Sequence, residues 1–316
     1  MNQSPPYQPF INFTGCIRYL LILSLQLPLM SAPGQPADLK NFPRKGSYLY
    51  FGQPAFEDNS FLLEEAFNQP MGVIQHIVSY ATNNIKKGNS NFNFTQEIPL
   101  TDLTHQLSYS LNYSFLPPQD GLKQKSGFGD VYISYRPSLM NEKQWMMLAP
   151  RITLILPTGN AAQGLGQGGW GGQFNLAITK RLVRRLITHY NFGYTVISQA
   201  DFYLNNTPEP VLAYQRNLYN KNAGFGVIWI AQRKCHLMLE YTSNFTQSIT
   251  DTGRVTTQHQ ATISPGLRYC FDNGRMQVVP GLAAPLSFTN GAVEVGVFLY
   301  LSFEPDYLAF YQPKGR

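Results

Sequence analysis

Charge is scarce in this chain. Only 13% of its 316 residues are Asp, Glu, Lys or Arg, about half the roughly 25% of an ordinary soluble domain. Such a surface does not suit a cytosolic enzyme. Three cysteines are too few for a disulfide scaffold. There is no uninterrupted apolar run of about 18 residues, so a helical membrane protein is excluded. The net charge of +6 is small and scattered, which argues against nucleic acid as a partner. The histidines (His76, His105, His189, His236 and His259) never fall into H-E-x-x-H, and no G-x-S-x-G elbow occurs. No cofactor and no metal site is expected. What the chain does have is aromatic side chains, 14% of residues with 19 Tyr and 21 Phe, at a mean hydropathy of −0.21. Disorder requires few aromatics and much charge, so the composition leaves a large, aromatic-rich β protein.

The N-terminus indicates a compartment. Tyr19 to Met30 (YLLILSLQLPLM) is an apolar run preceded by Arg18 and followed by Ser31, Ala32 and Gly34. That is the order of a secretory leader, and the run is too short to span a bilayer. Residues 1–34 are expected to be removed, with cleavage after Ser31 or Gly34 because Pro33 blocks cleavage after Ala32. Cys16 goes with the leader. Cys235 and Cys270 remain at the ends of neighbouring strands, where alternation turns them to opposite faces and disfavours a disulfide.

From residue 73 onward the pattern has period two. In Leu107-Ser-Tyr-Ser-Leu-Asn-Tyr-Ser-Phe115 every odd position is apolar or aromatic and every even one is Ser or Asn. Arg151–Leu156, Gln173–Thr179, Cys235–Tyr241, Gln258–Ser264 and Val293–Phe303 follow the same rule with few lapses. Alternation of this kind sends the two sets of side chains to opposite faces of a sheet. About twelve such segments begin near Val73, Asn91, Thr104, Phe128, Trp145, Trp170, Ile187, Asn222, Cys235, Thr256, Arg275 and Ala292. Their length of about ten residues suits a tilted membrane-spanning strand.

The connections decide the class. Short turns are expected at Leu100–Leu103, Ser138–Gln144, Arg181–Leu186, Ala231–Lys234 and Phe271–Gly274, and longer loops at Leu116–Ser126, Pro157–Gly169 and Ser198–Lys221. Sorting by length onto two ends is the habit of an outer-membrane barrel with both termini periplasmic. The polar set faces inward and the apolar set outward, the reverse of a soluble barrel. The fold class is therefore all-β, an antiparallel transmembrane β-barrel of about 12 strands in the bacterial cell outer membrane. The expected organisation is a leader at 1–34, a periplasmic arm or plug at 35–70, the barrel at 71–304 and a tail at 305–316. Outer-membrane lipid and the barrel-assembly machinery are its expected partners.

Several stretches carry a resemblance. Asp58-Asn-Ser-Phe61, Glu64-Glu-Ala-Phe-Asn-Gln69 and Gly72-Val-Ile-Gln-His-Ile77 resemble the opening of a bacterial outer-membrane family named for transporters of the MetA-type phenol-degradation pathway. Gly127–Val131, Leu156–Asn160 and His189–Tyr194 resemble its later motifs in the same order. The similarity runs from Asp58 to Phe303. It implies an outer-membrane barrel and a small hydrophobic solute. Here Phe303 is followed by a tail through Tyr311 to Arg316, whereas such barrels commonly end on an aromatic of the last strand.

Alternation points Glu97, Arg136, Arg151, His189, Glu240, Arg268 and Glu294 into the lumen. Charges inside a barrel of this size either pair across it and plug it, or line a polar passage. Pro150, Pro265 and Pro280 lie inside strands, where each removes a ladder donor. Folding about the turn near Asp272 sets Pro265-Gly266 almost opposite Pro280-Gly281, which makes either a lateral opening for a hydrophobic solute or a paired bulge. The glycine-rich stretch from Gly159 to Gly172 has no following lysine and helix for phosphate and is expected as a flexible extracellular loop. The leading expectation is a channel or transporter for passive passage of small hydrophobic or amphipathic solutes. Two alternatives stand beside it: an outer-membrane lipid-modifying enzyme, marked by an outward Ser–His pair at the rim near His259, and a structural or adhesive barrel, marked by a filled lumen.

Overall fold

The computed structural model describes residues 56–85, 88–101, 103–118, 124–139, 145–204 and 210–307. The leader, residues 35–55 and the tail from 308 lie outside them, as does most of the turn expected at Ser138–Gln144.

Twelve antiparallel strands close into a barrel. They are β1 (Gln75–Thr82), β2 (Ser90–Thr101), β3 (His105–Leu116), β4 (Lys125–Phe128 and Val131–Pro137), β5 (Met147–Leu156) and β6 (Gly171–Val183). Then come β7 (Leu186–Leu204), β8 (Val211–Gln232), β9 (Cys235–Ile249), β10 (Val255–Tyr269), β11 (Met276–Ala283 and Leu286–Thr289) and β12 (Ala292–Val295 and Val297–Pro305). Each strand pairs with the next, and β12 returns to β1 with His76 opposite Phe303 and Thr82 opposite Val297. Closure leaves no sheet edge unpaired, which a barrel in lipid requires. Strands β4, β11 and β12 are each interrupted once. At the β11–β12 interruption the Gly296 N–H donates to the Pro285 carbonyl at 2.8 Å, so a proline that cannot donate is bridged by its neighbour.

The outward face is apolar. Ile152, Leu154, Phe174, Phe192, Trp229, Leu239, Leu267 and Leu299 are all exposed, as expected of side chains that meet hydrocarbon. The β6–β7 and β8–β9 turns are tight, formed by Arg184-Arg185 and Arg233-Lys234. Cys235 and Cys270 are not joined in a disulfide.

Three local expectations are corrected. Strand β8 begins at Val211, not near Asn222, and most of Ser198–Lys221 is paired strand and not loop. Phe202 faces Tyr214 and Leu204 faces Val211 beyond a bulge at Gln199. The sequence hides this because the bulge shifts the period-two pattern. Next, the stretch from Gly159 to Gly172 is not without structure of its own, and its last two residues open β6. The Asp130 carboxylate accepts the N–H groups of Gly159 and Gln167 at 3.0 and 2.9 Å, and a short helical turn at Ala161–Gln163 is capped by Asn160. Gly159 and Gly166 pass so closely that a Cβ on either would lie 2.8 Å from the other's Cα, which explains glycine at both. Lastly, Pro265 and Pro280 are not opposite one another. Gly266 pairs with Ala283 and Arg268 with Gly281, and the Ala284 N–H donates to the Pro265 carbonyl at 3.0 Å. The chain between β10 and β11 is longer than a tight hairpin about Asp272, so the register slides by several residues.

Candidate functional site

Register stacks the inward side chains of β6–β10 into rows. One row runs Thr179, His189, Gly226, Glu240, Ser264. The next, towards the long loops, runs Ala177, Asn191, Gly224, Thr242, Thr262. A third runs Asn175, Gly193, Asn222, Asn244, Gln260. Alternation fixes which residues face inward, and pairing fixes which share a level.

Across the lower rows lies the segment before β1. Asp58, Ser60, Phe61, Leu63 and Glu65 to Gln69 are buried inside the barrel. Backbone in such a place needs partners, and the wall supplies them. Glu240 accepts the N–H groups of Leu62 and Leu63 at 3.1 and 3.2 Å. Asn191 accepts the Glu64 N–H at 2.7 Å and donates to the Glu64 carbonyl at 2.8 Å. Thr179 accepts the Ala66 N–H at 2.9 Å, and Gln106 the Gln69 N–H at 2.9 Å. Arg136 donates Nε to Asn68 Oδ1 at 2.9 Å and Nη2 to the Phe67 carbonyl at 2.7 Å. Arg268 donates Nη1 to the carbonyls of Asp58 and Asn59, both at 2.6 Å.

The segment brings its own charges. Glu65 lies 3.4 Å from Arg268 and 3.8 Å from His189, and accepts the Ser60 hydroxyl at 2.7 Å. Burial pushes its carboxyl above the usual range, opposed by the Arg268 guanidinium. Glu64 pairs with Arg151 at 3.1 Å, and Arg151 reaches Glu97 at 3.4 Å. Arg136 lies 3.8 Å from the same Glu97. Asp58 accepts Gln75 Nε2 at 2.6 Å and the Tyr300 hydroxyl at 2.7 Å.

Apolar contacts seat the segment as well. The Phe61 ring packs on Phe298 and Tyr300 and rests on two bare glycines. A Cβ at Gly266 would fall 2.8 Å from the ring, and one at Gly281 would collide with it. Leu63 sits likewise on Gly224 and Gly226, where a Cβ would clash with its methyl groups. Phe56 stacks on His236 at 3.9 Å between ring centres.

Six of the lumen candidates therefore meet around this segment: Glu97, Arg136, Arg151, His189, Glu240 and Arg268. Glu294 does not. It lies at the long-loop end, where the Asn83 amide donates to it at 3.2 Å. Of the lateral-opening candidates, Gly266 and Gly281 contact Phe61, while Pro265 and Pro280 occupy separate levels as described. Sequence reading missed Asp58 and Asn68, because residues 56–70 have no period that assigns a face, and it passed over His236, although alternation in β9 turns it to the same face as Glu240.

Above the segment lies a recess of about 340 Å³, lined among others by Leu62, Glu64, Asn175, Asn222 and Asn244. On the opposite, outward face, Ser243 Oγ lies 2.9 Å from His259 Nε2. The His259 ring stacks on Phe245, and no hydrogen bond between its other nitrogen and a carboxylate or amide is found among the described residues. A nucleophile–base pair needs such an orienting group and donors for an oxyanion.

The chain matches no family model and no curated protein. Among solved structures it is similar to an outer membrane channel from Pseudomonas putida F1, with 18% identity, a TM-score of 0.58, and coverage of 76% of this chain and 97% of that one. It is also similar to the NanC porin (8% identity, TM-score 0.44, 73% and 98% covered). A third likeness is to the CymD monoaromatic hydrocarbon channel (6% identity, TM-score 0.39, 77% and 89% covered). The first likeness shows the fold, that of a bacterial outer-membrane β-barrel. The other two are too distant to add to it.

Proposed function

We propose that this protein is an outer-membrane channel for passive passage of small solutes, closed by its own N-terminal segment. One observation carries the reading. Arg136, Arg151, His189, Glu240 and Arg268 hold residues 58–69 by their backbone and their two glutamates, through contacts spread over several strands. A filler evolved only for stability needs no charge, since buried ion pairs add little over packed apolar side chains. Contacts of this kind break one at a time, which suits a segment that shifts. Swelling of proteoliposomes in small neutral solutes tests it. A Phe61→Ala, Leu63→Ala variant should swell several-fold faster than the wild type. Rates equal to protein-free liposomes in both would sink the proposal.

The resemblance to the MetA-type family adds a hydrophobic or amphipathic solute to this reading. A lateral exit at β10–β11 is its second form, favoured by Phe61, whose displacement uncovers Gly266 and Gly281 at that strand pair. If Pro265→Val and Pro280→Val leave phenol uptake by cells unchanged, the lateral exit fails.

A further inference from the structure

We infer that the recess above the plug is a binding site for an uncharged, hydroxyl-rich solute such as a small sugar. The inference rests on the channel reading and narrows it.

The lining is written by register. Asn175, Asn222 and Asn244 stand in one row across β6, β8 and β9. The β7 position of that row is Gly193, and a side chain there would collide with the Asn222 amide that lies across it. Gln173, Thr195 and Asn220 form the next row out. Each amide offers a donor and an acceptor without net charge, and a sugar hydroxyl offers the same pair.

Two acceptors at the base are unused. Asn175 Oδ1 and Glu64 Oε2 are buried and have no hydrogen-bond partner, although leaving a buried acceptor unpaired is unfavourable. Asn175 is 5% exposed, and its amide nitrogen is turned to Asn191 at 3.5 Å. The carbonyl is thereby left for a donor from the recess.

The same lining excludes other classes. The Glu64 carboxylate on the floor is already paired with Arg151 at 3.1 Å, and Lys221, which also lines the recess, stands at an outward position between Asn220 and Asn222, so the lining offers a charged solute no free counter-charge. Leu62 is the apolar side chain of the floor, and no aromatic ring lines the recess among the described residues, so an apolar ring would desolvate amides without replacing their hydrogen bonds. A volume of about 340 Å³ falls at the small end of ligand sites, which run from about 300 to 1,000 Å³.

The test is calorimetric titration of the refolded full chain, in a detergent without a sugar headgroup, with glucose, sucrose and toluene. The expected result is weak, saturable binding of at least one sugar. An Asn222→Leu, Asn244→Leu variant should lose at least tenfold in affinity while keeping the heat-modifiable gel mobility of a folded barrel. If that variant does not fold, Asn244→Ser should weaken binding at least threefold. Toluene binding with no sugar binding, or sugar binding unchanged in the variants, overturns the inference. These failures are separate from failure of the channel reading. Sugar bound without flux in the Phe61→Ala, Leu63→Ala variant would overturn the channel and leave the site, whereas flux without sugar binding would overturn the site and leave the channel.

Discussion

Two levels of one lumen, built by the same strands, are furnished in opposite ways. At the lower level β6–β11 present Thr179, His189, Glu240 and Arg268, with Gly226, Gly266 and Gly281 among them, and every one of these contacts or adjoins residues 58–66. Two rows higher, β6, β8 and β9 present the neutral amides of Asn175, Asn222 and Asn244, with no chain across them among the described residues. The difference shows what a strand needs in order to receive backbone as against solvent or solute. Backbone crossing a lumen brings N–H groups, carbonyls and bulky side chains at fixed points. The wall answers with a carboxylate for amides, guanidinium groups for carbonyls, and glycine where a ring must fit. Above, nothing is fixed, and groups that both give and accept suffice.

The comparison breaks most severely at Arg268. Arg268→Met removes the donor to two carbonyls and leaves Glu65 as a buried carboxylate without its nearest cation. Removing one partner of a buried pair costs about 3–5 kcal/mol, so the urea midpoint should fall clearly, with the plug released before the barrel unfolds.

Next comes the Phe61 seat. Phe61→Ala should cost about 3 kcal/mol, within the range for emptying an aromatic site. Gly281→Ala should also destabilise, because its methyl enters the ring's place. The double variant should be less unstable than the sum of the two, by about 1 kcal/mol, since ring and methyl no longer compete. Strict additivity in urea melts would show that the ring does not rest there.

Glu240→Gln sharpens the contrast more gently. The amide keeps the size and one acceptor but weakens the charge-assisted bonds from Leu62 and Leu63, a loss of about 1–2 kcal/mol. Hydrogen exchange at those two amides should quicken while exchange in the strands holds.

The smallest effect belongs to the outer face. Ser243→Ala breaks the hydrogen bond to His259 and should change stability by less than about 0.5 kcal/mol. Phospholipid hydrolysis that is present in the wild type and lost in this variant would revive the enzymatic alternative.

The wall of the lower level was legible in the sequence, because period two assigns a face to Glu240 or Arg268 without further information. Strand order and the sorting of turns by length followed from the same signal. What crosses the lumen was not legible. Residues 56–70 carry no period, and their placement depends on Phe61 finding Gly266 and Gly281 on two strands far along the chain. The proline register failed for a related reason. A bulge or an extra turn residue shifts pairing without leaving a mark in the pattern of side chains, as happened between β10 and β11 and again at Gln199 in β7. The amide row was visible only once Gly193 was known to lie between Asn175 and Asn222.

Single-channel recording in planar bilayers, comparing the wild type with Arg268→Met, tests the central claim most directly. The plugged-channel account predicts a wild type that is closed most of the time and opens briefly, and a variant with a higher open probability at the same unit conductance. A wild type that conducts steadily, with Arg268→Met unchanged from it, would contradict closure by residues 58–69.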